Sequence, residues 1–201
     1  MKYVLKIFIL VAGFVIYLNA NSFASVDAAV YGGYVFDGMF GQSSGSLNMG
    51  IDLTGPQFGL KGHYNLQLTP TLDLGIGAFF QYASYTVDYS SAGAGAPGDM
   101  DGKRMAAGLD LNFIFAATSE VYPYIRVTYS LYDNLKFDDV DVDVSGDFKG
   151  FGFGTGVEYA INPNIRVFGE FMYERPSFEE IEGFDLYITA MSVNAGLKYI
   201  F

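Results

Sequence analysis

Cysteine and tryptophan are absent from the 201 residues, histidine occurs once, and cations are scarce, with 11 Lys and Arg against 22 Asp and Glu. Zero Cys excludes disulfide scaffolds, thiolate nucleophiles, Cys-ligated zinc and iron–sulfur clusters. A net charge of −11 without a run of Lys or Arg excludes nucleic acid as a partner, because the phosphate backbone is bound through grouped cations. After the first two dozen residues no segment carries the roughly 20 consecutive apolar residues that a membrane-spanning helix needs, so any later insertion must use strands. What is present is equally marked: 19 Phe, 16 Tyr, 25 Gly and 51% hydrophobic residues. An acidic disordered chain would be poor in aromatics, so disorder is excluded as well. The length suits one domain.

The N-terminus reads as a secretory signal peptide over residues 1–24. Lys2 and Lys6 form a basic start, Ile7 to Leu18 is a nearly unbroken apolar core, and Ser22-Phe23-Ala24 places small residues for a cut before Ser25. Asn19 and Asn21 end the apolar run too early for a retained span. No Cys follows the core, so no lipoprotein anchor is expected. Removal of two cations makes the net charge of residues 25–201 more negative still, at −13.

From there the chain alternates with period 2, the signature of strands with one apolar and one polar face. In Phe58 to Leu68, Phe58, Leu60, Tyr64, Leu66 and Leu68 oppose Lys61, His63, Asn65 and Gln67. The same pattern predicts strands over Leu72 to Tyr82, Arg104 to Phe115, Val121 to Leu131, Lys149 to Ile161, Ile165 to Glu174 and Tyr187 to Phe201, with a less regular first strand near Ala28 to Phe36. Phe79 is an exception on a polar face. Three connections are tight: Thr69 to Thr71, Ala116 to Glu120 and Asn162 to Asn164. Four are longer: Asp37 to Gln57, Ala83 to Lys103, Tyr132 to Phe148 and Arg175 to Gly183. The expectation is an all-β fold, an eight-stranded antiparallel transmembrane β-barrel over residues 25–201, with short periplasmic turns and longer extracellular loops.

Alternation alone does not say which face is inside, since a soluble barrel would put the apolar face inward. The large apolar side chains are too many for the narrow interior of an eight-stranded barrel. The opposite faces are rich in Gly, above all Gly150 to Gly156, as a crowded lumen requires. Tyr and Phe gather near strand ends, as interfacial girdles do. Lys61, Arg104, Arg126, Arg166 and Lys198 share the polar side with Asp73, Asp110, Glu158, Glu170 and Glu174, and His63 lies beside Lys61. Buried charges must be paired, so these residues are expected to form a charge network that closes the lumen.

At this point the chain resembles the small eight-stranded outer-membrane barrels of Gram-negative bacteria, the OmpX/Ail-like and OmpA-type transmembrane group. The likeness covers Ser25 to Phe201 and is most specific in the last strand, Ala195-Gly196-Leu197-Lys198-Tyr199-Ile200-Phe201. The resemblance implies location in the outer membrane, contact with its lipids and lipopolysaccharide, and recognition of Tyr199 and Phe201 by the barrel-assembly machinery. It implies a monomer, and surface loops that meet host molecules. An OmpA-type peptidoglycan-binding domain is not expected.

No enzyme is expected. A lipid-modifying barrel enzyme would need a His working with Ser or an acid, and His63 faces the lumen beside Lys61. No cofactor is expected either. The segment Asp138 to Val144 resembles an EF-hand loop, but Val144 stands where the turn Gly belongs and Gly150 where the closing Glu belongs. Asp139, Asp141 and Asp143 share one face of that hairpin and are candidates to hold Ca2+ or Mg2+ against lipopolysaccharide phosphates. The functional expectation is a structural or surface-interaction (adhesin-like) role, the alternatives being a narrow channel for small solutes and a lipid-modifying enzyme.

Overall fold

A computed structural model describes residues 24–44, 47–88, 100–137, 143–144, 148–177 and 185–201. The expected signal segment lies outside them apart from Ala24, and so do Asp139 and Asp141. Eight long strands form the wall: β1 (Ala24–Ser44), β2 (Leu47–Thr69), β3 (Leu72–Asp88), β4 (Met100–Phe115), β5 (Val121–Phe137), β7 (Lys149–Asn162), β8 (Ile165–Ser177) and β9 (Asp185–Ile200). A two-residue strand, β6 (Asp143–Val144), pairs only with the upper end of β5. Every pairing is antiparallel. The order runs β4-β3-β2-β1-β9-β8-β7-β5, and β4 pairs with β5 to close the cylinder.

The inside-out pattern follows from the accessible faces. Along β2, Lys61, His63 and Asn65 are buried while Phe58, Leu60 and Leu68 are exposed. Along β7, Phe151, Phe153, Val157, Tyr159 and Ile161 are exposed, and Glu158 is buried. A surface of this kind is stable only against hydrocarbon. The inward glycines of β7 leave room for large neighbours. A Cβ on Gly156 would stand 2.6 Å from Cζ of Tyr124, and one on Gly154 would overlap Sδ of Met172. Phe79, the exception in the pattern, is buried with the Arg126 guanidinium 5.7 Å from its ring centroid.

The strands run further than the alternation indicates. Much of the expected loop Asp37 to Gln57 is strand, with β1 and β2 paired as far as Ser44↔Leu47. The expected loop at 83–103 is likewise strand at both ends, and those at 132–148 and 175–183 are strand where they begin, over 132–137 and 175–177. A barrel strand needs about 9–11 residues to cross the hydrocarbon, whereas these have 13 to 23. The 23 residues of β2 rise roughly 55 Å along the axis at a tilt of about 40°. Above the apolar band the pattern changes for two physical reasons. The outer face there meets water, so it no longer needs apolar residues. The inner face becomes apolar, with Val35, Leu53, Ala83, Tyr85, Leu135, Phe148, Ile188 and Ala190 forming one buried cluster. Register shifts at Val35/Gly38 and at Ala107/Gly108 also break the parity.

Candidate functional site: the lumenal charge network

β8 supplies the hub. Glu170 lies midway along it and its two oxygens accept four donors from three other strands. Oε2 accepts from Lys61 Nζ at 2.9 Å and from the Tyr124 hydroxyl at 2.9 Å. Oε1 accepts from Arg126 at 2.7 Å and from the Asn194 amide at 3.3 Å. The Lys61 ammonium is also enclosed by rings, with the Phe168 centroid at 4.3 Å and the Tyr124 and Tyr31 centroids at 5.5 and 5.8 Å. Such faces carry negative quadrupole density and stabilise a desolvated cation.

Arg126 links this hub to the lower lumen. Its Nε donates to Asp110 Oδ2 at 2.9 Å, and its second terminal nitrogen lies 2.8 Å from the same oxygen. His63 sits between two carboxylates, with Nδ1 2.8 Å from Asp27 and Nε2 3.3 Å from Asp110. Only the imidazolium form donates from both nitrogens. Lys198 reaches Asp27 at 3.4 Å and also bonds Glu158, which accepts from Arg166 at 2.9 Å. The Arg166 guanidinium stacks on Tyr122, 3.8 Å from its centroid. The chain of contacts from Arg166 to Lys61 is therefore unbroken.

A second cluster lies above. Arg104 holds Asp133 through two bonds, 2.8 and 2.5 Å, and reaches Glu174 at 2.9 Å. Bidentate guanidinium–carboxylate pairs are the strongest and most directional of the ionic contacts. Three amides connect the clusters. Gln81 donates to Glu174 at 3.3 Å and to Gln57 at 2.9 Å, Gln57 donates to Asn194 at 2.6 Å, and Asn194 donates to Glu170. The apolar cluster around Leu135 and Phe148 lies directly above Arg104 and Asp133.

Ten of the expected network residues meet in this one assembly: Lys61, His63, Arg104, Asp110, Arg126, Glu158, Arg166, Glu170, Glu174 and Lys198. Asp73, two residues after Thr71 and half-buried, lies within electrostatic reach of Arg166 and Lys198 without a direct ion pair to either among the described residues. Asp27 and Asp133 are further lumenal anions and were not anticipated. Asp27 lies just before the span read as the first strand, and Asp133 falls within a segment read as loop. Extending the parity of Tyr31 back by four residues would have found Asp27. Asp133 follows the register break in β5, so parity could not reach it. Tyr31, Tyr124 and Gln57 were also missed, because their roles depend on partners on distant strands.

Tyr199 lies at the C-terminal end of β9 and Phe201 just beyond it, both facing outward, 46% and 73% exposed, with their rings 4.9 Å apart. For Asp143 only the backbone pairing with Lys136 is described. Among the described residues no group of three or more His, Asp or Glu side chains is arranged to hold a metal ion.

Comparisons with known proteins agree with this geometry. Comparison with curated protein sequences gave no significant match. Neisserial surface protein A is similar in structure at 20% identity and a TM-score of 0.50, over 89% of this chain and 99% of its own. The outer membrane protein AlkL, determined in DMPC bilayers, is 14% identical with a TM-score of 0.50 over 88% and 90% of the two chains. The outer membrane protein OprG from Pseudomonas aeruginosa is 15% identical with a TM-score of 0.49, over 87% and 95%. A family model for the outer membrane protein beta-barrel domain matches residues 10–201. The chain, a closed inside-out barrel matched over nearly its whole length, belongs to the outer membrane protein beta-barrel domain family and resides in the outer membrane of a Gram-negative bacterium.

Proposed function

We propose that this is a non-conducting envelope protein whose work is done at its outer surface, by the strand-built wall above the membrane and the acidic segments that connect its strands. The observation that carries the reading is the filling of the lumen: a continuous ionic network at membrane depth, with an apolar cluster stacked above it. An eight-stranded barrel has an interior just wide enough for side chains, and here the side chains that occupy it bind one another. The role proposed is structural or adhesin-like contact with ions, host molecules or neighbouring surface components, since function in such folds resides on exposed connections. No catalysis is proposed. His63 is 3% exposed and both of its ring nitrogens face carboxylates, which supports a structural role for the only histidine.

Planar-bilayer recording tests the proposal. The folded protein is expected to give no stable single-channel steps. Steps whose size changes with Arg126→Ala or Glu170→Ala would replace this reading with that of a narrow solute channel.

A further inference from the structure

At one place in the lumen, toward the end closed by the short turns, oxygen acceptors gather without donors. On β3, Gly75 stands directly between Asn65 of β2 and Asn112 of β4 in the register. The glycine leaves a hollow. A Cβ there would stand 2.8 Å from Asn65 Oδ1 and 3.4 Å from the Cβ atoms of Asn112 and His63. One row deeper, the His63 ring lies over Gly77, where a Cβ would stand 2.8 Å from His63 Cδ2. One row toward the turn, Asp73 shares the parity of Gly75 and is half-buried, and Thr71 beyond it is exposed. The hollow is therefore roofed by the imidazole and faces the turn side past Asp73.

Each amide that borders the hollow carries an oxygen with no partner. Asn65 and Asn112 are 8% and 0% exposed, and Oδ1 of each is buried without a hydrogen bond. Their orientation follows from their nitrogens. Asn65 Nδ2 donates to Asp27 Oδ2 at 2.8 Å, a place its oxygen could not take beside a carboxylate. Asn112 turns Nδ2 to His63 Nε2 at 3.1 Å. Buried polar atoms without partners are rare and costly, and two of them beside one glycine mark a ligand. Asp73 brings a third acceptor, with no direct ion pair among the described residues. It is also the carboxylate in excess. The other six in the lumen, Asp27, Asp110, Asp133, Glu158, Glu170 and Glu174, equal the six basic groups in number with His63 counted as a cation.

The chemistry selects the occupant. A water molecule has two protons and would leave one of three acceptors unmatched. A second carboxylate, such as divalent cations favour, is not at hand, whereas amide oxygens with one carboxylate suit an ion of single charge. We propose that the hollow at Gly75 binds a monovalent alkali cation, held by Oδ1 of Asn65, Oδ1 of Asn112 and the Asp73 carboxylate, with water completing its shell from the turn side. The site is independent of any role of the outer surface.

The test compares the folded mature chain in detergent micelles in sodium, potassium and choline chloride at equal ionic strength, with Tm read by circular dichroism. Sodium or potassium should raise Tm saturably above its value in choline, by about 5–10 °C at a hundredfold excess over Kd. Gly75→Ala puts a methyl group into the hollow against the movable tip of Asn65, and Asp73→Asn removes the charge. Each should weaken the cation at least tenfold. Gly169→Ala, where nothing lies within 4 Å of the added carbon, should keep the full increment. Equal Tm in the three salts overturns the proposal, as does an increment undiminished in both variants. If the variants do not fold, crystals of the unaltered protein grown in rubidium chloride decide. An anomalous peak beside Oδ1 of Asn65 and Asn112 is expected, and water alone at that position refutes the site.

Discussion

Replacing Glu170 by Gln removes one negative charge and keeps the side-chain shape. The carboxylate accepts two donors on each oxygen, Lys61 and Tyr124 on one, Arg126 and Asn194 on the other. The amide must turn its NH2 toward one of these pairs, so at least two hydrogen bonds are lost whichever way it points. Arg126 keeps Asp110. Lys61 loses the carboxylate it pairs with and is left as a buried cation among three rings. Breaking a buried pair in this way costs about 3–5 kcal/mol. The cost should be asymmetric. Lys61→Met leaves Glu170 with Arg126, Tyr124 and Asn194, and should cost about 1–2 kcal/mol. Adding Lys61→Met to Glu170→Gln removes the stranded cation and should recover about 2 kcal/mol relative to the single Gln variant. Urea unfolding in lipid vesicles, followed by circular dichroism because the chain has no Trp, measures all four proteins. Stability of Glu170→Gln within about 1 kcal/mol of the parent, or no recovery in the double variant, would refute the view that Glu170 neutralises Lys61.

Gly156→Val should obstruct barrel formation, because its Cβ would stand 2.5 Å from the Gly169 carbonyl and 2.6 Å from a Tyr124 ring held by Glu170. Gly169→Ala, with nothing within 4 Å of the added carbon, should be neutral, and heat-modifiable gel mobility compares the two. Leu135→Ala should loosen the wall above the membrane by about 2–5 kcal/mol. Hydrogen exchange at Leu53 and Ile188, its partners in the buried cluster, should accelerate while the amides of β7 stay protected. Calcium should raise the melting temperature of the folded protein, and Asp139→Asn/Asp141→Asn/Asp143→Asn should abolish the increment. An increment that survives the triple substitution ends the metal reading of that hairpin.

Alternation made the membrane-embedded half of the barrel legible because lipid outside and charge inside impose opposite chemistries on successive residues. Phe58, Leu60, Lys61 and His63 show this directly. The same reasoning stopped at Asp37 and Tyr132. Beyond those points water replaces lipid outside, Leu53 and Leu135 turn inward, and a bulge shifts the phase. The charged lumen could be read from parity as a set of residues, but its wiring could not. Nothing near Glu170 in sequence points to Lys61, 109 positions away, or places Asp133 on Arg104. Those contacts depend on how the cylinder rolls up.

That wiring bears on how the protein is assembled. Arg126 and Asp110 lie on neighbouring strands, but the hub on β8 meets Lys61 of β2 and Arg126 of β5, and Glu174 of β8 meets Arg104 of β4. Arg126 and Glu170 stand on either side of β7, but Lys61 and Arg104 lie on strands that face β8 only in the closed cylinder. A partly inserted chain therefore carries unmatched charges until β1 and β9, the first and last strands of the chain, pair. Slipping one strand by a single residue would turn its charges toward lipid, so an erroneous register is penalised at the same step. The ions thus act as a fidelity device: they make the last seam of the barrel the event that stabilises all the others, and they leave misclosed forms reversible.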